Sequence, residues 1–472
     1  LDIDNLTERI IEGLGHYPTQ SQTEAAYRIA DFLLQRGAEE FFVIQGYAGT
    51  GKTTLIKALS QLFSNSGYET VLLAPTGRAA KVISGYSGKP AHTIHRYIYY
   101  VDSRGGQMNF RLSTNRHKNT FFIIDEASML SDSRYESASL SDRSLLEDLI
   151  SYVRSGVNCR MFFVGDTAQL PPIGTEESPA LDPDYLKRNF AILGRGAMLR
   201  DVVRQERESG VLYNATELRE MIESYVLALP QFNLNFPDVV RITDGYEFEE
   251  WLSRDIQDDP KETVLICRSN KRANLYNQQI RARTFYRDTE ISGGDRVMVV
   301  KNNYFWDTGK KGSFLANGDM AEIESVRNIR ELHGFTFADA SMVFDDGVEN
   351  FSIEATIMLD VFNDDGPSLS QKRMNELYEN VLLDYQDVFG KRAKMEKLKS
   401  DVHFQALQLK FAYAITGHKA QGGQWKKVYL EYPYLADENE MDLSYLRWLY
   451  TAFTRATEKI YLIGFPETFF EE

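Results

Sequence analysis

Residues 46–53 read GYAGTGKT, and no other stretch of this chain restricts its fold as tightly. The run satisfies G-x-x-x-x-G-K-[ST]. It stands between FFVIQ (41–45), apolar enough for a buried strand, and a segment in which Leu55, Ile56, Leu59, Leu62 and Phe63 share one helical face. Strand, glycine-rich turn and helix in that order let backbone N–H groups close around a polyphosphate at the positive end of a helix. The candidate nucleotide-binding residues are therefore Gly46, Ala48, Gly49, Thr50, Gly51, Lys52, Thr53 and Thr54. Lys52 is expected to reach the β- and γ-phosphates of ATP, and the Thr53 hydroxyl to help hold Mg²⁺.

Further apolar runs alternate with helical spacing, the pattern of α/β architecture. TVLLA (70–74), FFIID (121–125) and MFFVG (161–165) are strand candidates of one unit. TVLIC (263–267), FAYAI (411–415), VYLEY (428–432) and IYLIG (460–464) are those of a second. Between about 295 and 400 the sequence changes character: GDRVMVV, NGDMAEIESV and VENFSIEATI alternate apolar and polar residues around glycine turns, as in a small antiparallel barrel. FFIID ends in Asp125-Glu126, where one carboxylate can bind the magnesium shell and the next can activate a water. A further strand leads into GDTAQLPPIG, placing Gln169 to sense the γ-phosphate.

Composition narrows the class. The formal charge of −15 weighs against a chain that coats nucleic acid and leaves room for a narrow basic groove. No apolar run approaches the roughly 20 residues of a membrane span, and LDIDNLTERIIEGL lacks the features of a signal peptide, so a cytoplasmic location is expected. The two cysteines, Cys159 and Cys267, flank or occupy strand-like runs and are expected as buried free thiols.

In sequence order come APTGRAAK (74–81), HTIH (92–95), IIDEASML (123–130), GDTAQLPPIG (165–174), VVRQ (202–205), GHKAQGGQW (417–425) and LYTAFTRA (449–456). Together they resemble the motifs of superfamily 1 helicases, in the branch of the RecD and Dda enzymes, over Pro18 to Ile463. The resemblance implies two RecA-like parallel-sheet domains, at 1–190 and at 191–295 plus 404–472, with a β-hairpin insertion (about 96–115) in the first and a small β-barrel with a helical extension (296–403) in the second. It implies an ATP- and Mg²⁺-dependent motor moving 5′→3′ on single-stranded DNA and unwinding tailed duplex, a monomer working with recombination or repair proteins. Carried over by position, it assigns Lys52, Glu126, Gln169, Arg204 and Arg455 to catalysis, the last two as arginine fingers, and Thr53 and Asp125 to the metal. Gln22 would read adenine, and Gln421, Gly422 and Gly423 would turn toward the ATP cleft. Pro75, Thr76, His92, Thr93, His95, Tyr99, Thr416, His418 and Lys419 would meet DNA.

Alternatives stay open at this level. Half of Tyr97, Tyr99, Tyr100 and Phe110 are expected to pack beneath the hairpin rather than stack on bases, because side chains alternate along a strand. KNNYFW (301–306) suits either a DNA-facing loop or barrel core, and Lys391, Arg392, Lys394, Lys397 and Lys399 suit a solvated helix face better than a clamp. Rival functions are a DNA-stimulated ATPase subunit that does not unwind alone, and an RNA translocase.

Overall fold

A computed structural model describes residues 2–35, 39–102, 109–133, 143–203, 208–306, 314–345, 350–435 and 441–471. Strands β1 (Phe41–Gly46), β2 (Glu69–Ala74), β3 (Ala91–Thr93), β6 (Thr120–Ile124), β7 (Arg160–Gly165) and β8 (Gly194–Leu199) form one sheet in the order β3-β2-β6-β7-β1-β8, parallel throughout. β6 and β7 are buried along their whole length, which is why they read as unbroken apolar runs: helices cover both faces of a parallel sheet. β8 pairs with β1 from Gly194 to Leu199, so this sheet continues past residue 190. A second parallel sheet has the order β16-β10-β17-β18-β9, built from β9 (Val239–Ile242), β10 (Thr263–Cys267), β16 (Ala414–Thr416), β17 (Trp425–Glu431) and β18 (Ala456–Ile463). These are the two RecA-like units expected from the sequence.

Between them lies a closed five-stranded barrel of β11 (Arg296–Val299), β12 (Met320–Leu332), β13 (Phe335–Asp345), β14 (Asn350–Met358) and β15 (Leu407–Phe411). It is not wholly antiparallel. β14 and β15 run parallel, and the intervening helices Gln371–Leu383 and Lys391–Lys399 provide the long crossover that parallel pairing requires. The run FAYAI, expected as one strand, serves two sheets: Phe411 closes the barrel and Ala414 opens β16. Buried Asn277 holds the crossing. Its Nδ2 donates to the carbonyls of Phe411 (3.1 Å) and Ala414 (2.8 Å), and its Oδ1 accepts the N–H groups of Tyr413 and Ala414. The hairpin strands β4 (Tyr99–Asp102) and β5 (Asn109–Leu112) pair antiparallel, while Arg96–Ile98 belong to a short helix, Ile94–Ile98. The expected turn at Gly105-Gly106 lies outside the described residues. Cys267 is buried, whereas Cys159 is only partly so, and both are free thiols. Among the described residues no helix is long and apolar enough to cross a membrane.

Candidate nucleotide and nucleic-acid sites

The carboxyl ends of β1, β6 and β7 bring three motifs to one edge, where ligands bind in parallel α/β sheets. After β1 the chain turns through Gly49 (φ 71°) and Gly51 (φ 85°), a left-handed geometry that glycine adopts without strain, and enters the helix Lys52–Asn65. A Cβ on Gly46 would lie 3.0 Å from Lys52 Cγ and 3.1 Å from Leu199 Cβ, so the turn admits no side chain there without displacement. The Lys52 ammonium folds back onto the carbonyls of Gly46 (2.7 Å) and Tyr47 (2.8 Å) and lies 3.9 Å from Asp166 Oδ2. Thr50 is buried and donates to the Tyr47 carbonyl, while Thr53 and Thr54 sit half-buried in the first helical turn.

Asp125 and Glu126 follow β6, and Glu126 takes a left-handed φ of 52°. Burial, followed by the neighbouring Glu126 charge, pushes the Asp125 carboxyl up to about 7. A divalent cation held by Asp125 and Thr53 would remove that penalty, so the donor set fits Mg²⁺. Glu126 faces Arg455 of the second unit, Oε1 to Nη1 at 3.9 Å. Arg455 is 3% exposed and donates to the carbonyls of Thr451 (3.0 Å) and Gly423 (3.1 Å) and to Thr454 Oγ1. Gln169 is buried, its Oε1 has no partner among the described residues, and it borders a cavity of about 230 Å³ with Asp166, Ser128 and Arg447. Arg204, the other expected arginine finger, lies outside the described residues.

Two residues expected at the nucleotide, Gln22 and Gly422, lie against protein groups. Gln22 is fully buried beneath the phosphate loop, where its Oε1 accepts the Thr19 N–H in a capping box and its Nε2 donates to the Thr50 carbonyl. It braces the loop instead of presenting a free edge to a base, and a Cβ on Gly51 would come within 2.5 Å of that Nε2. Gly422 (φ 70°) packs on the first unit beside Thr76 and Ala79 and not against the phosphate loop; a Cβ there would lie 3.0 Å from Ala79 Cβ. Gln421 does turn inward, donating to the Leu170 carbonyl at 2.6 Å. Gly423 accepts from Arg455 and lies against the Trp425 ring, over which the Arg78 guanidinium stacks at 4.0 Å.

The expected DNA contacts divide. Pro75, Thr76 and His95 line a cleft of about 660 Å³ between the first sheet and the barrel, faced by Lys301, Asn302 and Tyr304. KNNYFW is thus split: Lys301 to Tyr304 line the cleft, while the Trp306 indole donates to the Gln405 carbonyl at the barrel wall. Burial holds His95 down to about 4, so it is neutral at pH 7 and offers a hydrogen bond but no charge. His92 is exposed one strand-edge away. Thr93 and Tyr99 do not line that cleft. Thr93 is enclosed at 3% exposure, and Tyr99 at 4% donates to Asp148 Oδ2 (2.7 Å) under the hairpin. Alternation along the strand puts Tyr99 inward, and Tyr97 also packs, its hydroxyl on His117 Nε2 at 2.8 Å. At the second unit Thr416 is buried, His418 exposed and Lys419 half-buried at the end of β16. Burial, then the charge of Lys410, pushes the Lys419 ammonium down to about 8. On the helix Lys391–Lys399, Arg392 is exposed and pairs with Glu396 one turn on, which fits a solvated face.

Two residues escaped the sequence reading. Tyr450 and Asp166 sit inside quoted motifs, yet nothing in their spacing marks them; only the packing of one unit on the other joins them.

An AAA domain model matches residues 19–220 and a UvrD-like helicase C-terminal domain model matches residues 411–463. The ATP-dependent RecD2 DNA helicase of Deinococcus radiodurans is 32% identical over 160 residues, covering 33% of this chain and 19% of that protein. The ATP-dependent DNA helicase dda of Enterobacteria phage T4 is 26% identical over 269 residues, covering 54% of this chain and 55% of that protein. The matched part thus spans between about a fifth and just over half of these relatives' length. A solved Pif1 helicase from Bacteroides, in complex with ADP-AlF3 and ssDNA, covers 94% of this chain and 92% of its own at 16% identity and a TM-score of 0.46.

Proposed function

We propose that this chain, a RecD/Dda-like member of helicase superfamily 1, is an ATP-driven motor that moves 5′→3′ on single-stranded DNA and opens duplex ahead of it. The observation that carries the reading is Arg455, delivered from the second unit to within 3.9 Å of Glu126 on the first. An arginine that must cross a cleft to reach the transferred phosphoryl makes hydrolysis depend on cleft closure, and closure shortens the distance between two grips on a strand. Lys52 binds the β- and γ-phosphates once it leaves the Gly46 and Tyr47 carbonyls. Glu126 accepts the proton of the attacking water, and Gln169 reports the γ-phosphate to the cleft. Thr53 and Asp125 would hold Mg²⁺, which would offset negative charge on the phosphates when bound. Pro75, Thr76 and His95 on one side, and His418 and Lys419 on the other, contact the phosphate backbone; such contacts carry little sequence preference.

Two duplexes test the reading directly, one with a 5′ and one with a 3′ single-stranded tail, each with ATP and Mg²⁺. Opening of the 5′-tailed duplex alone is expected. Preference for the 3′ tail would overturn the polarity, and DNA-stimulated hydrolysis with neither duplex opened would favour a non-unwinding subunit. A pH series adds a second expectation. Lys419 carries its charge below about 8 and loses it above, so affinity for single-stranded DNA falls as pH rises from 7 to 9. The slope of log K against log salt should shrink by about 0.7, one phosphate contact's worth. Lys419→Met should abolish that pH-dependent part; an unchanged pH profile in this variant would remove Lys419 from the DNA contacts.

A further inference from the structure

The phosphate loop is tied to the second unit by buried hydrogen bonds. Tyr450 comes from the helix Leu443–Phe453, is 1% exposed, and uses one hydroxyl for two bonds. It accepts the N–H of Ala48 at 2.9 Å and donates to Asp166 Oδ2 at 2.6 Å. Asp166 is itself buried, its other oxygen accepting the Ala168 N–H at 2.9 Å, and the oxygen that Tyr450 holds is the one 3.9 Å from the Lys52 ammonium. The next residue along the helix, Thr451, accepts the Leu170 N–H at 2.9 Å, and Gln421 holds the carbonyl of the same Leu170. Gln421 follows Lys419 by two positions, so buried hydrogen bonds joined by short stretches of chain run from the end of β16 to Asp166, 3.9 Å from the Lys52 ammonium.

We propose that Tyr450 and Asp166 are a positioning pair through which strand binding at the second unit sets the placement of Lys52 and hence the hydrolysis rate. The inference rests on the motor reading above. Its physical basis is that breaking one of these buried hydrogen bonds leaves a desolvated group without its partner, so a shift of Thr416–Lys419 on a strand is carried to Leu170, to the helix Leu443–Phe453, and through one hydroxyl to both Ala48 and Asp166. Asp166 also restrains Lys52 by charge. Without the Tyr450 hydroxyl, the carboxylate is free to draw the ammonium away from the phosphates.

The readout is the ratio of kcat with saturating single-stranded DNA to kcat without DNA. In Tyr450→Phe that ratio is expected to fall about tenfold, because strand binding no longer reaches Lys52. A residue that only supports the fold would lower both rates together and leave the ratio intact. Tyr445→Phe is the control: Tyr445 lies on the same helix, its buried hydroxyl has no hydrogen-bond partner among the described residues, and the ratio should stay within twofold of the parent. Asp166→Ala breaks the tie from its other end, and combining it with Tyr450→Phe should cost no more stimulation than either alone. A Tyr450→Phe ratio within twofold of the parent, or additive losses in the double variant, would overturn the pair. A parent protein whose hydrolysis ignores DNA would instead overturn the motor reading itself.

Discussion

Glu126→Gln is expected to lower kcat for DNA-stimulated ATP hydrolysis by about 10³-fold while ATP and single-stranded DNA still bind. General-base catalysis contributes roughly 10²–10⁴ in rate, and glutamine keeps the shape of glutamate while losing the proton acceptor. Glu126 is placed for that task by a backbone twist. Its φ of 52° turns the residue out of the line of β6, so that Glu126 faces Arg455 while Asp125 beside it stays half-buried. Single-turnover hydrolysis together with equilibrium nucleotide binding separates the two effects. A variant that still hydrolyses ATP within tenfold of the parent would give the base to another residue.

Arg455→Lys comes second, with an expected loss of about 10³ in kcat at similar nucleotide affinity, the lower end of the effect of arginine fingers in phosphoryl transfer. Lysine keeps the charge but cannot reproduce a fork that donates to Thr451, Gly423 and Thr454 at once while pointing one nitrogen at Glu126. Those three bonds also brace the second unit, so thermal unfolding must be measured alongside the rate. Full kcat in the folded fraction, combined with a lower Tm, would make Arg455 a structural residue only. Loss of kcat with little change in Tm is the outcome that supports delivery across the cleft.

Much of this architecture is legible in short stretches. GYAGTGKT needs only its own glycines and the strand and helix beside it to become a phosphate loop, and FFIID places Asp125 and Glu126 at a strand end by length alone. The difficulties begin where one stretch has two neighbours. FAYAI is apolar throughout because both of its ends are buried, and apolarity does not say that Phe411 is buried in a barrel and Ala414 in a parallel sheet. Tyr99 and Tyr100 look alike as aromatics on a strand; which of them turns inward depends on the register with β5 and on Asp148 waiting beneath. Gln22 has the position of a base-reading glutamine, yet its carboxamide is engaged by its own helix cap and by Thr50, a competition visible only once the phosphate loop is folded over it.

What the sequence determined by itself is the chemistry that local geometry can encode: the glycine-dependent loop, the carboxylate pair at a strand end, and the order of motifs along two sheets. Such features are set by backbone sterics and by the period of burial, both short-range. Tertiary structure alone decided the partners. Lys52 rests near Asp166, Ala48 donates to Tyr450, and Glu126 meets Arg455 because the second unit packs on the first across hundreds of residues of chain. A hydroxyl or a guanidinium has no preferred partner in sequence; it takes a buried group that the packing leaves within reach, since leaving a polar group unpaired in the interior costs about 1–3 kcal/mol.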